Sequence, residues 1–142
     1  MPFVLDASTT LAWIFDDEES AVADAASERS YSDRAVVPHH WFLEVVSGML
    51  KAERQRRIDI AGAAAFLDRL TALDLEIEAT GSSTLLGAVL PLARAHRLSM
   101  YDAAYLELAQ RRGLDLAAID GPLAGAARRQ GVTVIDAAET ER

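Results

Sequence analysis

The chain contains no cysteine in its 142 residues. Disulfides, zinc–thiolate centres and cysteine nucleophiles are therefore excluded. Lysine is nearly missing too: Lys51 is the only one, so the other basic residues are arginines. No apolar run approaches the ~20 residues that a membrane-spanning helix needs. No charged leader precedes the first apolar segment, so no secretory signal is expected and a cytoplasmic location is the default. Internal repeats, low-complexity tracts and recognisable linkers are absent. The expectation is one domain over residues 1–136, with a polar tail at 137–142.

What is present is a globular composition, 51% hydrophobic and 25% charged, long enough for a real core. Acids outnumber bases 22 to 14, for a formal net charge of -8. That balance argues against binding nucleic acid by bulk electrostatics. It leaves room for an enzyme with local basic patches and a bound metal. Arginine suits bidentate phosphate or carboxylate contacts better than lysine does.

Along the chain, short β-prone runs alternate with helical stretches. Strands are predicted at 3–5, 35–37, 75–77, 116–119 and 132–135. Helices are predicted after Ser8 or Thr9, from Asp16–Glu19 to about Arg29, and from His39 to Arg54. Further helices run from Asp59 to about Ala72, from Thr80 to His96 with a kink or break at Pro91, and from Met100 to Arg112. The last of these has Ser99 as its N-cap and Gly113 as its stop. A final helix follows Gly121–Pro122. The alternation implies βαβ units, and hence a mostly parallel five-stranded sheet between helical layers, a three-layer α/β/α domain.

Four carboxylates stand where apolar elements end or present a face: Asp6 in F-V-L-D-A-S, Glu44 in W-F-L-E-V-V-S-G, Asp102 in S-M-Y-D-A-A-Y and Asp120 in L-A-A-I-D-G. Burying an unpaired carboxylate costs several kcal/mol, roughly, and few basic residues lie near these acids in sequence. Asp6 and Asp120 each follow a buried strand, and sites in such sheets lie outside the carboxyl ends of the strands. Glu44 and Asp102 fall in the first turns of helices, which begin at that same edge. Four acids gathered there would raise one another's pKa, and a hard divalent cation reverses the penalty. Phosphodiester hydrolysis is the reaction class that such a site suits. Each acid also has a bland reading. Asp120 before Gly-Pro is a good turn residue, and Asp102 complements a helix dipole. Glu44 and Asp6 are harder to explain that way.

At these residues the chain resembles the PIN-domain ribonucleases, and within them the VapC-type toxins of bacterial toxin–antitoxin pairs. V-L-D-A-S resembles the family's first motif, with Asp6 as a metal ligand and Ser8 as its hydroxyl neighbour. V-P-H-H-W-F-L-E-V resembles the second and makes Glu44 the second acid. S-M-Y-D-A-A-Y-L-E-L-A makes Asp102 the third, and L-A-A-I-D-G-P-L-A-G-A-A-R-R-Q-G-V makes Asp120 the fourth. The resemblance implies Mg²⁺- or Mn²⁺-dependent cleavage of RNA by a metal-activated water. It also implies a homodimer and a cognate antitoxin whose tail covers the active site. Two positions depart from the pattern: Ser47 stands where the family often has Asn, and Ala118 where it often has Thr. These bear on fine geometry and leave the metal site in place.

His39 and His40 point about 100° apart on a helix, so both cannot face one site, and they read as capping or surface residues. Arg54, Arg56 and Arg57 read as a solvated helix end, with an RNA or partner contact as the functional alternative; Arg94 and Arg97 share that ambiguity. Trp13, Phe15, Trp41 and Phe42 read as core or dimer interface, and Trp13 and Trp41 alternatively as lining of an antitoxin groove. Gly48 inside a helix implies a close neighbour. Two rival functions remain: a non-catalytic binding module on the same fold, and a phosphotransfer domain with Asp6 as nucleophile. Against the second, Ser8 replaces the acid expected two residues on, and no late lysine is present.

Overall fold

A computed structural model describes residues 1–15, 20–119 and 121–136. Asp16–Glu19, Asp120 and the tail at 137–142 lie outside the described residues. So do the helix opening expected at the first of these and the fourth predicted acid.

Four strands form the sheet: β1 (Phe3–Leu5), β2 (Ala35–Pro38), β3 (Leu75–Glu78) and β4 (Asp115–Ala117), in the order β3-β2-β1-β4. All pairings are parallel, with Val4 opposite both Val36 and Leu116 and Ala35 opposite Leu75. Every residue of β1 and Ala35–Val37 of β2 is fully buried. Burial of successive residues requires cover on both faces, as a parallel sheet flanked by helices provides. The expected fifth strand is reduced to one bridge, Val134 to Leu116, so the sheet has four strands. Val132, Val134 and Ile135 are still buried. Apolar patterning therefore drew the segment onto the sheet without supplying a ladder. The fourth strand also ends at Ala117, two residues short of the predicted Ile119.

The helices follow local signals. Asp6 caps α1 (Ala7–Leu11) through Thr9 N–H, and a 3₁₀ turn (Ala12–Ile14) continues it. Ser20 caps α2 (Ala21–Arg29). α3 spans Trp41–Arg54, and Asp59 caps α4 (Ile60–Thr71). The stretch around Pro91 stays helical throughout but changes register: α5 (Ser82–Thr84) passes through a π-helical turn (Leu85–Val89) into α6 (Leu90–His96). The proline ring cannot accept a standard turn against the carbonyl four residues back, and a wider turn relieves it. α7 (Met100–Arg112) starts at the Ser99 cap and ends at Gly113 in the left-handed region, and α8 spans Pro122–Arg129.

α7 lies across β1, β2 and β4 and is buried without a break from Ala103 to Ala109. Trp41 is fully buried and belongs to the core, which removes it from any groove. At Gly48, α3 meets α1: a Cβ there would collide with the Leu11 side chain. Among the described residues no helix is long and apolar enough to cross a membrane.

Candidate active site

The chain runs β1, β2, β3 outward on one side and then crosses to the other side of β1 to place β4. The crevice at the carboxyl ends of β1 and β4 is therefore the point where strand order reverses, the usual ligand position in such sheets. Asp6 leaves β1 directly into it. Its side chain caps α1 by accepting from Thr9 N–H at 2.8 Å, and its own N–H donates to Ala117 O at 3.1 Å. The acid is thus bound to the end of β4 as well as to α1.

Thr9 strengthens that tie. Its buried hydroxyl donates to Ala117 O at 3.2 Å and accepts from Ile119 N–H at 3.2 Å. One threonine therefore fixes Asp6 through its backbone and the segment leading to Asp120 through its side chain. The sequence offered Ser8 or Thr9 as the cap of α1; the cap is Asp6, and Thr9 serves instead as a tie to β4, a part that depends on β4 lying beside β1. Ser8 is exposed and lines a cleft of about 210 Å³ together with Asp6, Asp102, Ile119, Gly121, Pro122 and Leu123.

Glu44 and Asp102 come to this edge from the starts of α3 and α7. Glu44 sits one turn into its helix, where Tyr105 O–H donates to its Oε1 at 2.9 Å and His40 Nε2 approaches the same oxygen to 3.1 Å. The imidazole contact lacks hydrogen-bond alignment, and Nε2 is buried without another partner. His40 does occupy the N-cap position of α3, as the capping reading had it, but it makes no side-chain cap and its ring turns inward to Glu44, which corrects the surface reading. His39 is exposed, so only one of the adjacent pair faces inward.

The electrostatics identify what the site lacks. Burial pushes the Asp6 carboxyl up to about 6; Thr9 opposes the shift, and Asp102 and Glu44 add to it. Asp102 is also held above its ordinary value, first by burial and then by Glu44, with His40 acting the other way. Burial first, and then Glu44, raises the Tyr105 hydroxyl, which stays protonated and donating. Among the described residues no arginine or lysine acts on Asp6 or Asp102. Three acids thus share one field in which, among the described residues, His40 is the one ionisable group that opposes their repulsion. The donors are oxygens, which suits Mg²⁺ or Mn²⁺, and no thiol or lysine competes. Among the described residues no three His, Asp or Glu side chains are gathered closely enough to hold an ion by themselves.

A larger, open concavity of about 970 Å³ lies at the turn from α3 to α4, lined by Arg54, Arg56, Arg57 and Ile60 among others. It contains no member of the acid cluster. Arg54, Arg56 and Arg57 are exposed, as expected of a helix end, and Arg57 lies over the Phe15 ring at 3.7 Å. Trp13 is half-buried, donates to Ala23 O at 2.9 Å and lies under Arg69.

A parallel sheet with three acids at its reversal point is the architecture of a nuclease-like α/β domain, and comparison with known proteins places it. The PIN domain family matches residues 3–135, and the chain belongs to that family. PIN domains are typically nucleases, and such nucleases generally use divalent metal ions. Among solved structures, the chain is similar to PAE2754 from Pyrobaculum aerophilum. The TM-score is 0.69 at 23% identity, over 99% of this chain and 95% of the other. It is also similar to VapC20 of Mycobacterium tuberculosis, described as a sarcin–ricin loop cleaving toxin. There the TM-score is 0.65 at 18% identity, over 94% of this chain and 98% of the other. At those identities the likeness concerns the fold. No curated protein matches the chain by sequence.

Proposed function

We propose that the chain is a Mg²⁺- or Mn²⁺-dependent ribonuclease, the toxin of a toxin–antitoxin pair. The observation that carries this reading is the uncompensated acid cluster: Asp6, Glu44 and Asp102, from three separate elements, with Asp6 held near 6 by burial and its acidic neighbours. Asp6 and Asp102 would hold the ion, Glu44 would hold it or orient the attacking water, and Asp120 would be the fourth acid. A hard divalent ion there neutralises the carboxylates, lowers the pKa of a bound water and offsets charge on phosphate oxygens. Thr9 keeps Asp6 aligned with the β4 end, and Ser8 is exposed at the cleft for a substrate or water contact.

VapC20 is described as a sarcin–ricin loop cleaving toxin, which supports RNA as the substrate class and an antitoxin as the partner. Exposed Phe42, Leu43 and Leu50 on α3 support a homodimer. The test is to induce the protein in cells and map the RNA ends that appear, beside an Asp6→Asn control. New ends that depend on Asp6 are expected. Identical end profiles from the two proteins would sink the reading.

A non-catalytic binding module on the same fold is the second reading. It is favoured by the lack, among the described residues, of three groups gathered to hold an ion. Titration with MnCl₂ separates the two: no binding at millimolar concentration selects the module.

A further inference from the structure

Two helices present side chains four residues apart to the same point. α3 offers His40, its N-cap residue, and Glu44; α7 offers Tyr101 and Tyr105, one on either side of Asp102 in sequence. The pairs interlock. The His40 ring stands edge-on to Tyr101, with centroids 5.2 Å apart, and edge-on to Tyr105 at 5.3 Å. Such T-shaped contacts stabilise each aromatic pair and hold the imidazole orientation. The trapped ring puts Nε2 3.1 Å from Glu44 Oε1, and Tyr105 O–H donates to that same atom at 2.9 Å. Among the described residues nothing donates to Oε2.

We propose that His40 and Tyr105 are positioning residues that hold Glu44 by Oε1 and so present Oε2 to the metal-binding crevice. The inference deepens the ribonuclease reading and rests on it for its functional consequence. A glutamate has three rotatable side-chain bonds, and an unrestrained one loses rotamer freedom when it engages a ligand. Two contacts to one oxygen meet most of that cost during folding. The misaligned His40 contact also fits a donor that tightens only when the site is filled, as active-site hydrogen bonds often do. Tyr101 acts one step further out, as the wall that keeps the imidazole in its slot; it is otherwise exposed. Partners that orient a metal-ligating carboxylate typically contribute 10–100-fold to metal affinity or activity.

The test uses the full chain with Tyr105→Phe, His40→Leu and His40→Gln, the last retaining a donor. Two quantities are read: MnCl₂ affinity by calorimetry on metal-free protein, and kcat and KM separately on an RNA oligonucleotide. Tyr105→Phe should weaken Mn²⁺ binding and lower kcat, each by about tenfold, with KM within twofold of wild type. His40→Leu should do the same, and His40→Gln should recover most of that loss. A folded Tyr105→Phe protein with wild-type Mn²⁺ affinity and kcat would overturn the proposal, as would a loss confined to KM. So would equal defects in His40→Gln and His40→Leu, which mark a packing role. Failure of the ribonuclease reading looks different: wild type itself cleaves no RNA, while the Mn²⁺ affinities still decide the clamp.

Discussion

α7 contributes one acid to each of two groups, Asp102 toward its start and Glu107 toward its end, and the two groups are treated in opposite ways. Near its start, Asp102 shares a field with Asp6 and Glu44, and among the described residues no arginine or lysine acts on it. Near its end, every acid has a guanidinium. Buried Glu107 accepts from Arg111 Nε at 2.7 Å, Arg111 also reaches Glu78, and Arg112 bonds Glu76 and Glu78. Glu76 is held below its ordinary value chiefly by its hydrogen bond to Arg112, whereas Asp6 and Asp102 are held above theirs. One helix therefore shows acids completed within the chain beside acids that need something from outside. The distal lattice also covers β3, the edge strand, with charge, a common guard against strand-to-strand aggregation.

The sharpest way to break this contrast is to remove a carboxylate from each end. Asp102→Asn at the start of α7 should lower RNA cleavage in Mg²⁺ or Mn²⁺ by at least about 100-fold, corresponding to about 3 kcal/mol or more. Far-UV circular dichroism and thermal midpoint should stay near wild type. Glu76→Gln at the distal lattice should leave cleavage unchanged. Equal activity for Asp102→Asn and wild type would remove the distinction between the two ends.

The second expectation concerns stability and has the unusual sign. Asp6 ionises near 6 in the folded protein against an ordinary 3.8, so between those values the native state keeps a proton that the unfolded chain has lost. Stability then falls as pH rises from about 4 to 6 and stays reduced above that. The shift corresponds to about 3 kcal/mol at most. In EDTA, Asp6→Asn should therefore be more stable than wild type at pH 7, with an advantage that disappears near pH 4. Asparagine caps a helix as well as aspartate does, so the cap is kept. Added Mn²⁺ should stabilise wild type and not the variant. Urea titrations at the two pH values check this, and a less stable Asp6→Asn at pH 7 would contradict it.

The distal end should show the ordinary sign. Arg111→Met leaves Glu107 buried without its guanidinium, and about 1–2 kcal/mol of stability should be lost, allowing for the partial exposure of Arg111. Adding Glu107→Leu should restore most of it, because replacing both members of a buried pair by apolar groups is often close to neutral. Neither protein should respond to EDTA. A metal-dependent defect in Arg111→Met would join the two ends into one system.

How much of this was legible in the sequence follows from what each feature depends on. α7 was readable to the residue, because Ser99 is a local start signal, Gly113 a local stop signal, and a helix end needs only its own neighbours. Asp6 at the end of β1 was readable for the same reason. His40 was not: helical rotation says that only one of His39 and His40 faces inward, but the choice was made by Tyr101 and Tyr105, about sixty residues away along the chain. Thr9 was hidden too, since its hydroxyl partners belong to β4 and its continuation. The missing fifth strand is the converse error. Val132–Ile135 has strand composition, but forming a ladder depends on register against β4, which composition does not carry.

The smallest effect is expected farthest from either buried acid, at Arg34. This side chain is half exposed and reaches Asp74 at 3.3 Å and Glu76 at 3.7 Å. Exposed pairs of this kind lose in side-chain entropy and solvent screening most of what they gain by attraction. Arg34→Gln should therefore cost no more than about 0.5 kcal/mol, and 0.5 M NaCl should remove even that. Glu76 should compensate through Arg112, its nearer partner, which leaves the lattice standing. A loss comparable to that of Arg111→Met would mean that the lattice acts as one cooperative network. The division between the ends of α7 would then rest on connectivity among the charges and not on burial.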